Sequence, residues 1–154
     1  MLHVVLYEPE IAPNTGNVIR LCANTGAQLH LIHPLGFEID DKRLRRAGLD
    51  YHELADLREH VSLDAFVRDV APGRLWPVST RGRTRYDQAA VDVGDALLFG
   101  PETRGLPEAL LMSFPETRRL RLPMASGSRS LNLANAVAVL VYDRWRQWGF
   151  PGGD

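Results

Sequence analysis

Three short stretches of the chain combine glycines, small hydroxyl and amide side chains and isolated charges, the mixture expected of loops that hold a ligand. The first is NTGNVIR (14–20). Asn14, Thr15 and Gly16 read as a turn, and Asn17 and Arg20, three residues apart, fall on one face of the helix that follows. The second is FGPETRGLP (99–107), where Gly100 and Gly105 let backbone approach a ligand and Glu102 offers a carboxylate to a hydroxyl or amine. The third is RLPMASGSRSLNLANAV (121–137), in which Ser128, Ser130 and Asn132 can hydrogen-bond an uncharged or zwitterionic ligand. Each also has a plain structural reading. These are, in turn, a capped helix start, a strand-to-helix connection, and a helix capped by Ser128 with Asn132 and Asn135 as interface polar groups.

Other chemistries are poorly served. The second stretch lacks the G-x-G-x-x-G spacing of dinucleotide folds, so a pyrophosphate cradle is not expected. His3, His30, His33, His52 and His60 lack helical ligand spacing, Cys22 is the lone cysteine, and no metal set or nucleophile–base pair emerges.

Such loops need strands to carry them. Residues 2–7 form a short apolar run, followed by a turn-rich EPEIAPNTG and a helical pattern with Val18, Leu21 and Cys22 on one face, closed by Gly26. Residues 28–33 suggest a second strand, stopped by Pro34 and Gly36, and Asp40 or Asp41 can cap a basic helix from Lys42. A helix fits 63–70, and buried strands fit 75–79, 96–99 and 120–122. The alternation predicts an α/β fold with a parallel sheet, in which ligands bind beyond the carboxyl ends of the strands. The last helix, 129–147, is apolar nearly all round (Leu131, Leu133, Val137, Leu140, Val141, Trp145), which predicts cover from a second copy of the chain; a wholly intrachain central helix is the alternative.

The chain has 154 residues, 45% of them hydrophobic, enough for one domain (1–154) with its own core. No spanning helix or signal peptide is visible, and the single cysteine agrees with a reducing, cytoplasmic setting. A net charge of −1 argues against a uniform electrostatic grip on nucleic acid. The cations are bunched, however, at Lys42, Arg43, Arg45 and Arg46, at Arg81, Arg83 and Arg85, and at Arg118, Arg119 and Arg121. Each group reads either as solvated surface or as a phosphate-binding patch.

Taken together and in order, the three stretches resemble the three motifs of the SPOUT superfamily of RNA methyltransferases, in its SpoU branch. YEPEIAPNTGNVIRLCANTG, DDKRLRRAGLDYHE and LFGPETRGLP resemble in particular the tRNA (cytidine/uridine-34) 2'-O-methyltransferases of the TrmL type, and the likeness runs over nearly the whole chain. The resemblance implies a parallel sheet flanked by helices with a carboxyl-terminal trefoil knot, S-adenosylmethionine as cofactor, an obligate homodimer and a tRNA substrate, without metal or membrane. It implies cofactor contacts from Val78, Gly100, Leu122 and Ser130, with Thr80, Glu102 and Met124 as neighbours. Arg20 matches the catalytic arginine, Asn17 is expected to fix it, and Tyr142 matches a second residue near the acceptor. Lys42, Arg43, Arg45 and Arg46 are expected to grip the tRNA backbone. Action on ribosomal RNA or another tRNA position, or a catalytically silent RNA-binding module, are the competing readings.

Overall fold

The structure, a computed structural model, describes residues 1–39 and 56–154. The expected basic helix from Lys42, with Arg43, Arg45 and Arg46, lies outside the described residues.

The strands are β1 (His3–Tyr7), β2 (Gln28–Ile32), β3 (Arg58–His60), β4 (Leu75–Val78), β5 (Thr84–Arg85), β6 (Ala96–Phe99) and β7 (Leu120–Arg121). They form a sheet in the order β3-β2-β1-β6-β4-β7-β5, and every adjacent pair is parallel. The central strands are short apolar runs because both their faces are covered. Alternation then divides each strand between two cores. Val4 and Leu6 of β1, Leu29 and Leu31 of β2 and Leu97 and Phe99 of β6 point to one face, while Val5, Ile32, Ala96 and Leu98 point to the other.

The first face is covered by α1 (Ala12–Thr25) and the carboxyl-terminal helix, α4 (Leu133–Gln147), which pack against each other. The second is covered by α2 (Leu63–Val70) and α3 (Glu108–Met112), through Phe66 and Leu111. Helix α1 stops where expected: Gly26 takes a left-handed φ of 79° and its N–H bonds Cys22 O at 2.9 Å. Its start is earlier than the sequence pattern suggests. Asn14, Thr15 and Gly16 are already helical, with Pro13 in the first turn.

Helix α4 differs from expectation in two ways. It begins at Leu133 instead of near 129, capped by the Asn132 side chain, which accepts from Asn135 N at 3.3 Å; Ser128 is not the cap. It is also less apolar inward than its pattern implied. Ala136, Val137, Leu140 and Val141 are buried in the core, but Arg144 is buried too, and its Nη1 donates to Ala89 O at 2.8 Å. Residues 122–132 are therefore free of regular structure and available to line a site.

Candidate active site

A cavity of about 490 Å³ opens beyond the carboxyl ends of β4, β6 and β7. All three loops singled out from the sequence reach it. Val78 ends β4 and Thr80 follows it, Gly100 and Glu102 follow β6, and Leu122, Met124 and Ser130 follow β7, so the seven residues expected around a cofactor line one space. Its volume and its mixture of apolar walls (Leu106, Leu122, Leu133) with hydroxyl and amide groups (Thr80, Ser130, Asn132) suit a small organic ligand. The narrowness of the turns explains a glycine here: a Cβ on Gly100 would stand 2.3 Å from Leu106 N, so no other residue fits without moving backbone.

The residues expected at the acceptor are arranged differently. Asn17 and Arg20 lie on α1 and Tyr142 on α4, and none of the three lines the cavity. Asn17 is exposed and Arg20 half-buried. Tyr142 is 44% exposed and packs edge-on against Trp145, with ring centroids 5.7 Å apart. The two helices nonetheless border the cavity, since Asn14 of α1 and Ala136 of α4 are among its walls.

Glu102 is committed to the protein itself. Its carboxylate accepts from Glu10 N at 2.8 Å, from Ile11 N at 2.7 Å and more weakly from Asn14 Nδ2 at 3.4 Å. Ile11 occupies the N-cap of α1 and has no side-chain cap to offer; a carboxylate from another loop takes its amide and the one before it, where the negative charge also complements the helix dipole. The bonding is reciprocal. Glu10 accepts from Thr103 N at 2.9 Å and Thr103 Oγ1 at 2.8 Å, and these bonds, the amide first, hold its carboxyl below the usual range. Arg104 stands 3.7 Å from Glu8 and 3.9 Å from Glu10. On the other side, Asn132 Nδ2 donates to Asn14 Oδ1 at 3.1 Å. One chain of hydrogen bonds, Asn132 to Asn14 to Glu102, thus joins all three loops. Sequence reasoning missed Glu10, Asn14, Thr103 and Arg104 as parts of this clasp; the density of charged and amide side chains in EPEIAPNTG and PETRG was its only trace.

Among the described residues no group of three or more His, Cys, Asp or Glu side chains is placed to hold a metal ion. His3, His30 and His60 do meet, but ring to ring across β1, β2 and β3, with their nitrogens hydrogen-bonded to one another.

A parallel α/β sheet whose strand-end loops are clasped around a cavity of this kind is the framework of a small-ligand-binding enzyme, and the family match makes it a methyltransferase: the chain belongs to the SpoU rRNA methylase family, which it matches over residues 1–142. Within that family it is 60% identical over 152 residues to the tRNA (cytidine(34)-2'-O)-methyltransferase of Aeromonas hydrophila, covering 99% of this chain and 97% of that protein. It is 55% identical to the enzyme of the same name from Escherichia coli K12, again over 99% of this chain and 97% of the relative. A solved structure described as giving insight into 2-OH methylation of C/U34 on tRNA superposes with a TM-score of 0.88 at 49% identity, covering 97% of both chains. The SpoU methyltransferase AviRb from Streptomyces viridochromogenes, solved in complex with AdoMet, shares the fold at a TM-score of 0.78 and 23% identity, over 100% of this chain and 59% of that one.

Proposed function

We propose that the protein methylates the ribose 2'-hydroxyl of nucleotide 34 of tRNA, cytidine or modified uridine, using S-adenosylmethionine. The observation that carries the reading is the convergence of all three loops on one cavity in a chain so similar, end to end, to tRNA (cytidine(34)-2'-O)-methyltransferases. The cavity fits the cofactor. Backbone groups around Gly100 and Leu122 would hold the adenine, and Ser130 would bind the amino-acid portion, with Val78, Thr80, Glu102 and Met124 around them. When bound, the cofactor supplies an electrophilic methyl group on a sulfonium.

What the chain adds is placement and charge. Arg20 holds the phosphate next to the acceptor and stabilises negative charge as it develops on the 2'-oxygen. A guanidinium, a planar fork of N–H donors with no acceptor, is suited to this and not to removing a proton. Asn17 orients Arg20, and Tyr142 flanks the acceptor. The basic segment Lys42, Arg43, Arg45 and Arg46 grips the tRNA backbone.

We further infer a single domain over 1–154, a carboxyl-terminal trefoil knot, a homodimer and a cytoplasmic enzyme. For the knot, β7 lies between β4 and β5, and Gly82 passes so close that a Cβ would stand 2.3 Å from Leu120 O. For the dimer, Ile11, Val139 and Tyr142 leave apolar surface exposed at α1 and α4. For location, among the described residues no helix is long and apolar enough to cross a membrane.

The test is methylation of unmodified and native tRNA by the purified protein, with the 2'-O-methyl group mapped by nucleotide. Methyl at position 34 is expected, with Arg20→Ala lowering single-turnover methylation by about 100-fold while cofactor affinity holds. Methyl at another position, or on ribosomal RNA alone, overturns the substrate reading.

A further inference from the structure

Two of the three basic groups in the sequence converge in space. β5 and β7 pair in parallel with Thr84 beside Leu120 and Arg85 beside Arg121, so the segments carrying Arg83 and Arg85 and carrying Arg118, Arg119 and Arg121 share one edge of the sheet. Leu120 turns into the core at 1% exposure, which sends Arg119 and Arg121 to the opposite face. Like charges side by side on neighbouring strands repel, and sheets ordinarily avoid the arrangement.

The protein relieves this repulsion only in part. Arg85 is paired with Asp87 at 2.6 Å, and Arg119 is spent on the carbonyls of Phe114 and Met112, at 2.8 and 3.2 Å. Among the described residues Arg83, Arg118 and Arg121 have no ion-pair partner, and Glu116 is the other carboxylate on this edge. In a chain whose net charge is −1, so concentrated a positive edge is a directed field rather than a by-product of composition. It also adjoins the cavity. Arg81 and Leu122, the residues flanking the two segments, both line it.

We infer that the β5–β7 edge is a second RNA-binding surface, on which Arg83, Arg118 and Arg121 hold backbone phosphates of the substrate beside the methylation site, separately from the Lys42 to Arg46 segment. The inference rests on the proposed RNA substrate. Phosphates are the occupant favoured over an acidic protein because the free groups are guanidiniums spaced along an open edge that leads to the cavity, the geometry of a strand backbone tracked by bidentate donors.

The experiment compares wild type with Arg83→Glu/Arg121→Glu and Arg83→Gln/Arg121→Gln, the glutamine pair guarding against misfolding in the glutamate pair. Binding of tRNA is measured across a salt series, with tRNA methylation and S-adenosylmethionine binding measured in parallel. The inference expects both pairs to keep cofactor affinity and kcat, to raise KM for tRNA by about tenfold, and to flatten the salt slope by about 1.4 to 1.8, as loss of two phosphate contacts requires. An unchanged salt slope and KM overturn it. So does weakened binding to polyglutamate with tRNA binding intact, which assigns the edge to an acidic protein. Wild type that neither binds nor methylates tRNA instead refutes the substrate reading on which the inference stands.

Discussion

Glu102 performs at a distance what the glutamate of a capping box does from inside its own helix, accepting from the N-cap amide. Its two short bonds reach the amides of Glu10 and Ile11, more than ninety residues earlier in the chain, and they end the helix that carries Asn17 and Arg20. Glu102→Gln keeps one acceptor oxygen but loses the charge that faces the helix dipole. We expect a loss of about 1–2 kcal/mol, read as a lower urea midpoint at unchanged slope. Methylation should fall further than stability explains, because α1 would be free to shift against the cavity. A midpoint equal to wild type would mean that water replaces the carboxylate at no cost. Glu102 is recognisable in the sequence as a carboxylate in a strand-end loop, a pattern that points to a ligand acceptor. Its partners are main-chain N–H groups, which no side-chain spacing advertises, so its structural task was invisible. Gly100 was better advertised, since a glycine closing an apolar strand signals close approach.

The three histidines illustrate the same point for elements. His3, His30 and His60 show no helical spacing because their relation runs diagonally across three strands: His3 Nδ1 meets His30 Nε2 at 2.9 Å, and His30 Nδ1 meets His60 Nε2 at 2.9 Å. Phe66 of α2 packs beneath them, 4.8 Å from the His30 ring centre. Burial first, then the charges of His3, His60 and Arg58, pushes His30 down to about 3. Arg58 bears on all three, the amino terminus lowers His3, and Asp69 alone opposes the trend, at His60. A base whose affinity for protons is lower folded than unfolded stabilises the fold above its unfolded value, about 6.5, and that stability drains away as pH falls towards the folded value. Urea unfolding from pH 7 to pH 4 should therefore show wild type losing stability faster than His30→Leu, by up to about 1.4 kcal/mol per pH unit for the one proton. Parallel curves would dismiss His30 as the source. Elements with apolar runs, such as β6 and α2, were legible in the sequence to within a residue. β3 (Arg58–His60) and β5 (Thr84–Arg85) were not, because edge strands carry polar side chains and present no alternation. The start of α4 was misplaced because several residues in SGSRSLN can cap a helix, and tertiary contact with Asn14 favours Asn132.

For the molecule as a whole, the alternation of apolar runs and helical patterns identified a parallel α/β sheet, but not the order of its strands, which depends on which faces find each other. That order has a kinetic meaning. Among the described residues β5 pairs only with β7, and β7 reaches the sheet by entering between β4 and β5, so residues 84–85 wait for a partner more than thirty residues downstream. The pairing of β1 with β2 closes a far shorter loop than its pairing with β6 or the docking of β7, and closing long loops costs entropy before contacts repay it. Leu120→Ala should then act mainly after the folding barrier, hastening unfolding and leaving the folding limb of the denaturant plot nearly in place. Leu29→Ala, in β2, should slow folding. The reverse pattern would make β7 part of the nucleus. If β7 does dock last, a chain with its central strands already paired has a sheet but lacks one wall of its cavity, and so passes through a stage that is largely folded and blind to its cofactor. Ligand added to refolding protein would then leave the rate of collapse alone and trap only the final state, guarding the enzyme chiefly by slowing its unfolding.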